Sequence, residues 1–354
     1  MKKIIFILSF FLLIYTPHIV FADNIYNIID DIDKVSGYDA RETAEEVMSG
    51  KFPFTFSSVV EKVLSLFIGG IKENIPVIVK MTAIAFLSGM ILNIGSDKNT
   101  VGINAAVIIT AVIAIKTFLF SITLTTETID TLFIFISSLM PSVATLRAVS
   151  GVASGGAAEV TFIAMQIFIH ICKSVLLPLV CVITVFGISD KVSETSYISG
   201  ITNILKQVLK WSTGLMITIY GVVVTLQTQA ASGFDTLTVK GVKYAIGSFV
   251  PVVGNALSDS LETVVLSAKT ISGALGISGI VGVFYICLVP VINICTVSMS
   301  FKVAHAISAG SSPKRVSDVI GEIGESISKV SLVLLSVAVM FIISLATLCR
   351  FGGV

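Results

Sequence analysis

"GSFVPVVGNALSDSLETVV", residues 247–265, decides how many times this chain crosses a membrane. It begins apolar, breaks at Pro251 and Gly254, and turns polar at Asp259 and Glu262. Proline removes a backbone donor and kinks or ends a helix, and about 20 predominantly apolar residues are needed to span a bilayer. The stretch is too interrupted for an ordinary span and too apolar for a solvated loop. A second stretch of this kind is "TLFIFISSLMPSVATLRAV", 131–149, around Pro141. We expect both to be re-entrant or interfacial segments on the outer side of the membrane, with Gly254 permitting the turn. Their freed backbone groups must then be covered by protein, because lipid does not satisfy them. If the chain forms a conduit, Pro141, Pro251, Gly254, Asp259 and Glu262 are candidates for its lining.

Composition sets the class around these stretches. Of 354 residues, 55% are hydrophobic and only 13% charged, and the mean hydropathy is +0.99. A soluble domain carries about 25% charged residues. The expected fold is an all-α polytopic membrane protein with about six transmembrane helices, at 75–94, 101–122, 160–186, 212–231, 274–300 and 330–349. Cytoplasmic loops are rich in Lys and Arg. The loop before Trp211 holds Lys191, Lys206 and Lys210, and the loop after the fifth crossing holds Lys302, Lys314, Arg315 and Lys329. Six crossings put both loops inside and the mature N-terminus outside. If both interrupted segments crossed fully, eight spans would carry 187–211 to the outside. The net charge of +1 gives no basis for binding nucleic acid.

Lys2 and Lys3, the apolar run Ile4–Ile14, and Val20 and Ala22 before Asp23 form a signal-peptide pattern over 1–22. An uncleaved anchor is the alternative. Residues 23–74 are expected to be extracytoplasmic: an acidic region over 23–52, then an amphipathic helix on the membrane over 52–71 with Phe56, Val60, Leu64 and Phe67 on one face. The membrane domain is expected to be 75–354. Within it, Asp130-Thr131-Leu132 and Asp235-Thr236-Leu237 each open an apolar run that reaches a proline, then a linker and a span containing Pro178 or Pro290. We read a weak internal duplication, about 101–200 and 212–329. Two true crossings per unit would make the halves parallel, and three would make them inverted.

Chemistry-bearing motifs are sparse. There is no G-x-x-x-x-G-K-[ST], H-E-x-x-H or G-x-S-x-G. The five cysteines all lie in apolar runs without a C-x-x-C pair, and the three histidines are scattered. We expect no enzyme activity, no cofactor and no metal site. Ionisable residues within spans say more, because charge at mid-bilayer is costly. Lys80 and Lys116 are expected to extend to the outer interface. Lys173, near the middle of its span, should face the bundle interior or a water-filled cavity, as half of an ion pair or as part of a conduit. Gly273, Gly276, Gly279 and Gly282 predict close approach of another helix. The amphipathic stretch 314–330 carries Val316, Ile320, Ile323 and Ile327 on one face. It is expected to rest on the cytoplasmic membrane surface, as a candidate docking helix for a cytoplasmic partner.

"SFVPVVGNALSDSLETV" (248–264), "GVVVTLQTQAASGFDTLTVKGVKYAIG" (221–247) and "GISDKVSETSYISGITNILKQVLKWSTGLMITIYG" (187–221) resemble the stage III sporulation protein AE family. The resemblance runs from about residue 55 to near the C-terminus. It implies a multi-pass protein of the mother-cell membrane that surrounds the forespore, the outer forespore membrane. There it would belong to a secretion-like channel, or feeding tube, required for late forespore gene expression. The implied partners are other stage III sporulation proteins, including a cytoplasmic ATPase and ring-forming proteins, and indirectly the forespore stage II sporulation protein Q. The resemblance carries no catalytic residues. A secondary transporter with its substrate site at the broken helices is the alternative.

Overall fold

The computed structural model describes the backbone of residues 56–94, 100–149, 157–192, 198–249 and 254–350, with side chains placed within 60–90, 101–141, 160–192, 198–226 and 277–346. The expected signal peptide, the acidic region 23–52 and Pro251 lie outside the described residues. What is described is helical: α1 (Phe56–Ile94), α2 (Thr100–Val149), α3 (Ala157–Ile171), a π turn (Cys172–Leu176), α4 (Leu177–Val192), α5 (Ser199–Phe249), α6 (Gly254–Ser308) and α7 (Lys314–Arg350). Among the described residues, five segments are long and apolar enough to cross a membrane: Val101–Pro141, Val160–Val192, Ser199–Leu226, Ile277–Ser308 and Lys314–Ala346. The chain is an all-α polytopic membrane protein. The expected crossing at 75–94 forms the second half of α1 and is not among these five.

The helices are longer than the expected spans. α2 has 50 residues, about 75 Å at 1.5 Å per residue. Pro141 does not interrupt it, so 131–149 is the upper part of one helix rather than a re-entrant segment. A proline in a long membrane-class helix costs one backbone bond, and neighbouring groups make that tolerable. The same correction applies to 52–71, whose described part from Phe56 joins 75–94 in a single helix through Pro76. Lys116 is exposed on α2 but is not near its outer end, since the helix continues to Val149. Lys80 is exposed on α1. In the second interrupted stretch, α5 ends at Phe249 and α6 begins at Gly254. Asp259 and Glu262 therefore lie in the first turns of a helix that runs unbroken through Pro290 to Ser308.

α7 is the axis of the fold and packs against every other helix. Its apolar window is 61% buried, against 28% for the α5 span. This overturns the surface reading of 314–330. Val316, Ile320, Ile323 and Ile327 are all 0% exposed, so that face is turned into the bundle and is no docking surface. The first half of α7 forms a hairpin with the end of α6, closed by a turn in which Ala309 N–H donates to His305 O and Ser312 N–H to Ser308 O. Small and hydroxylated residues hold the two helices close. A Cβ on Gly324 would lie 2.9 Å from Phe301 Cβ, and one on Gly321 would lie 3.1 Å from the His305 ring. Ser298 donates to Gly324 O at 2.8 Å and lies 2.6 Å from Ser328 Oγ, and Ser317 Oγ lies 2.9 Å from His305 Nδ1. Higher up, a Cβ on Gly282 would lie 2.6 Å from the Phe135 ring. The close approach expected of this glycine run is therefore real at Gly282.

The turns show which ends lie together. Arg315, at the start of α7, donates to Asn104 Oδ1 near the start of α2 and to Val192 O at the end of α4. A Cβ on Gly89, near the end of α1, would strike Ser311 O in the α6–α7 turn. The chain reversals after α1, α4 and α6 thus meet at one end. The eight-span alternative places 187–211 and 301–329 on opposite sides of the membrane, and these contacts forbid that.

Candidate functional site

Three ionisable residues of the lower half of α7 gather into one network with a lysine of α5. Glu322, Glu325 and Lys329 follow one stripe of α7, and Lys206 of α5 reaches across to it. Lys206 Nζ lies 2.8 Å from Glu322 Oε1 and donates to Glu322 Oε2 at 3.0 Å. It also donates to Glu325 Oε2 at 3.2 Å, while Lys329 Nζ donates to Glu325 Oε1 at 2.8 Å, one helical turn away. Glu325 is thus flanked by two ammonium groups, and the four charges cancel. The Glu322 side chain is only 5% exposed, which is tolerable for a carboxylate only because it is paired.

The third wall comes from α4. A Cβ on Gly187 would lie 2.3 Å from Glu322 Oε1 and 2.6 Å from its Cδ. Only glycine leaves room there for the carboxylate. One turn further on, Asp190 is nearly enclosed, with its Oδ2 3.7 Å from Lys191 Nζ. The network therefore ties α5 to α7, with α4 packed against it at Gly187, at the end where the chain reversals meet.

A second charged pair lies higher. Lys173 sits in the π turn, and its Nζ contacts Asp130 Oδ1 of α2 at 2.5 Å. The π turn ends two residues before Pro178, which has no N–H and would clash with the carbonyl four residues back in a regular helix. The wider turn absorbs that misfit: Leu177 N–H reaches back to Cys172 O, and such π turns recur at functional positions. Beyond that pair, further from the network, Tyr220 of α5 is fully buried, with its hydroxyl against Ser344 Oγ of α7. Among the described residues, no three His, Cys, Asp or Glu side chains converge on a position for a metal ion.

Of the sequence-selected residues whose side chains are described, Lys173 joins a charged cluster, while Pro141, Lys80 and Lys116 are exposed and separate; the side chains of Gly254, Asp259 and Glu262 lie outside the described residues. Sequence reasoning missed Gly187, Asp130 and the Lys206–Glu322–Glu325–Lys329 network. The lysines registered as cytoplasmic loop charge, and Glu322 and Glu325 as the polar side of a surface helix. The available signal was the 3-4 spacing of Glu322, Glu325 and Lys329, which marks one polar stripe on the helix.

The pattern of the family described as Stage III sporulation protein AE matches residues 38–352. The stage III sporulation protein AE of Bacillus subtilis (strain 168) is 24% identical over 263 residues, covering 73% of this chain and 65% of that protein. The match thus spans slightly less than two thirds of that relative's length. No solved structure matches the chain. With the family pattern covering all of the described helices, the chain belongs to the stage III sporulation protein AE family.

Proposed function

We propose that this protein is a non-enzymatic membrane subunit of the channel complex between mother cell and forespore, acting as an export-gate-like or scaffold component. The observation that carries the reading is the family match over residues 38–352, which gives the chain a role in sporulation. The architecture supports it: the helices converge on a central α7, and an ion-pair network joins α5 to α7 at one end, with α4 packed against it through Gly187. That is the build of a rigid subunit. The proposed location is the outer forespore membrane, with the mature N-terminus extracytoplasmic and the Lys206–Glu322 end facing the mother-cell cytoplasm. The proposed partners are the other stage III sporulation proteins, among them a cytoplasmic ATPase and ring-forming proteins, and through them stage II sporulation protein Q. The transporter alternative drew on two broken helices, and the first of these is continuous through Pro141.

Deleting the gene in its host tests the reading. The expected result is engulfed forespores that fail to switch on late gene expression, with recovery on restoring the intact gene. Normal spores from the deletion strain, or gradient-driven uptake of a specific solute by the purified protein alone in liposomes, would overturn it.

A further inference from the structure

The Asp130–Lys173 pair lies at a depth where its exposure is out of place. α2 and α7 run side by side in the same direction, away from the Asn104–Arg315 contact. Near their far ends, a Cβ on Gly279 would lie 3.3 Å from Leu345 and 3.4 Å from Leu139, so these two leucines are level. On α7 the run Val330–Cys349 carries no charge and is bounded by Lys329 and Arg350. Its length is about 30 Å, the thickness of the hydrocarbon layer. Asp130 lies nine residues before Leu139 on α2, about two and a half turns or about 14 Å below it at the helical rise. That is level with Ser336, near the middle of the uncharged run.

At this depth the pair is not enclosed. The Lys173 side chain is 31% exposed and that of Asp130 is 50% exposed. The surface around it is polar on the α2 side and carries a polar stripe beside the π turn. Between Phe120 and Ile134 the exposed positions of α2 are Thr123 and Glu127, and Gln166, His170 and Ser174 are exposed beside the π turn, flanked by exposed Ile167 and Val175. At the same level, α7 exposes Leu335 and Val339. Ionisable groups at mid-bilayer face the bundle interior or a water-filled cavity, and this exposure places the pair outside the interior of the bundle. A tightly packed protein neighbour would meet no apolar anchor between Phe120 and Ile134 and would have to neutralise Glu127 as well. We infer that the outward side of α2 and the π turn, centred on Asp130–Lys173, lines a water-filled space at mid-membrane depth, while α5 and α7 turn their apolar faces to lipid.

The inference deepens the channel-subunit reading and rests on its placing the chain in a membrane. The two fail separately, because sporulation arrest is scored on the cell and water access on this chain alone. The test uses the full chain in membranes with single cysteines at Thr123, Glu127, Gln166 and Ser174, and at Leu335, Val339 and Ile219 as lipid-facing controls. The probe is a charged, membrane-impermeant methanethiosulfonate, which reacts with the thiolate that forms in water; labelling of the unsubstituted chain is subtracted. The expected result is at least tenfold faster reaction at the first four positions. Hydroxyl-radical footprinting of the unsubstituted protein in nanodiscs repeats the test without variants, with oxidation of His170 expected to exceed that of Leu335 and Val339. Rates no faster than the controls would overturn the inference, as would controls that react equally fast. Disulfide crosslinks between chains at these positions without reagent access would instead identify a packed second copy, and also overturn it.

Discussion

Gly187→Ala tests whether the charged network is built as described, because its effect should change sign with the residue opposite. Alanine in a helix interior is favoured over glycine by about 1 kcal/mol. Here the added Cβ would lie 2.3 Å from Glu322 Oε1, so the carboxylate must move. Glu322 is 5% exposed, and moving it draws it away from Lys206. Overpacking of this kind costs about 1–3 kcal/mol, and taking 3 for an enclosed charged group leaves a net loss of about 2 kcal/mol. In a Glu322→Ala background the obstruction is gone, and Gly187→Ala should then stabilise by about 1 kcal/mol. The coupling between the sites is therefore about 3 kcal/mol, well above the few tenths found between independent positions. Equilibrium unfolding of the four proteins in mixed micelles, titrated with a denaturing detergent, measures it. If Gly187→Ala has the same effect in both backgrounds to within about 0.5 kcal/mol, Glu322 does not occupy the space beside Gly187, and the network is wrong.

Other consequences follow from the same packing. Lys206→Met alone leaves Glu322 buried without its main partner and should cost about 3–5 kcal/mol, most of it recovered in Lys206→Met/Glu322→Leu; equal losses for the single and double variants in the same unfolding assay would count against a paired charge. Ser344→Ala should cost more than Tyr220→Phe, about 1–3 against about 1 kcal/mol, because Ser344 keeps its bond to Met340 O when the phenol is lost, whereas the buried phenol keeps nothing; the reverse order on melting would show that the phenol has another partner. Gly324→Val should push apart the α6–α7 hairpin at its contact with Phe301 and lower stability by more than about 2 kcal/mol, measured by the same titration. Cysteines at Gly200 and Ser312 should label from the same side of the membrane, since α4, α5 and α7 meet at that end; labelling from opposite sides would restore the eight-span arrangement.

The helical membrane class was legible in the chain because it is a one-dimensional property. Runs such as Val330–Cys349 are long and uncharged, and a backbone with no water beside it forms helices whatever its neighbours are. The shared side of 187–211 and 301–329 was also legible, from lysine and arginine placement alone. Local rules went astray where they met long-range packing. Pro141 predicted an interruption, yet the helix continues through it. The apolar face of 314–330 has the pattern of a helix lying on a bilayer, and a face buried against lipid headgroups has the same periodicity as one buried against protein. Only the position of α7 at the centre, with Val316 and Ile320 fully buried, distinguishes the two. The pairing of Lys206 with Glu322, 116 residues apart, leaves no trace in either local sequence, and the need for glycine at 187 exists only once that carboxylate is opposite it. The sequence by itself determined that this protein is helical, where five of its apolar spans fall, to within a helix, and which loops share a side, because each follows from transferring a segment from water to lipid. The tertiary structure decided which helix lies inside, which charges are paired and which polar face is left open at mid-membrane depth, because these depend on what stands across from each residue.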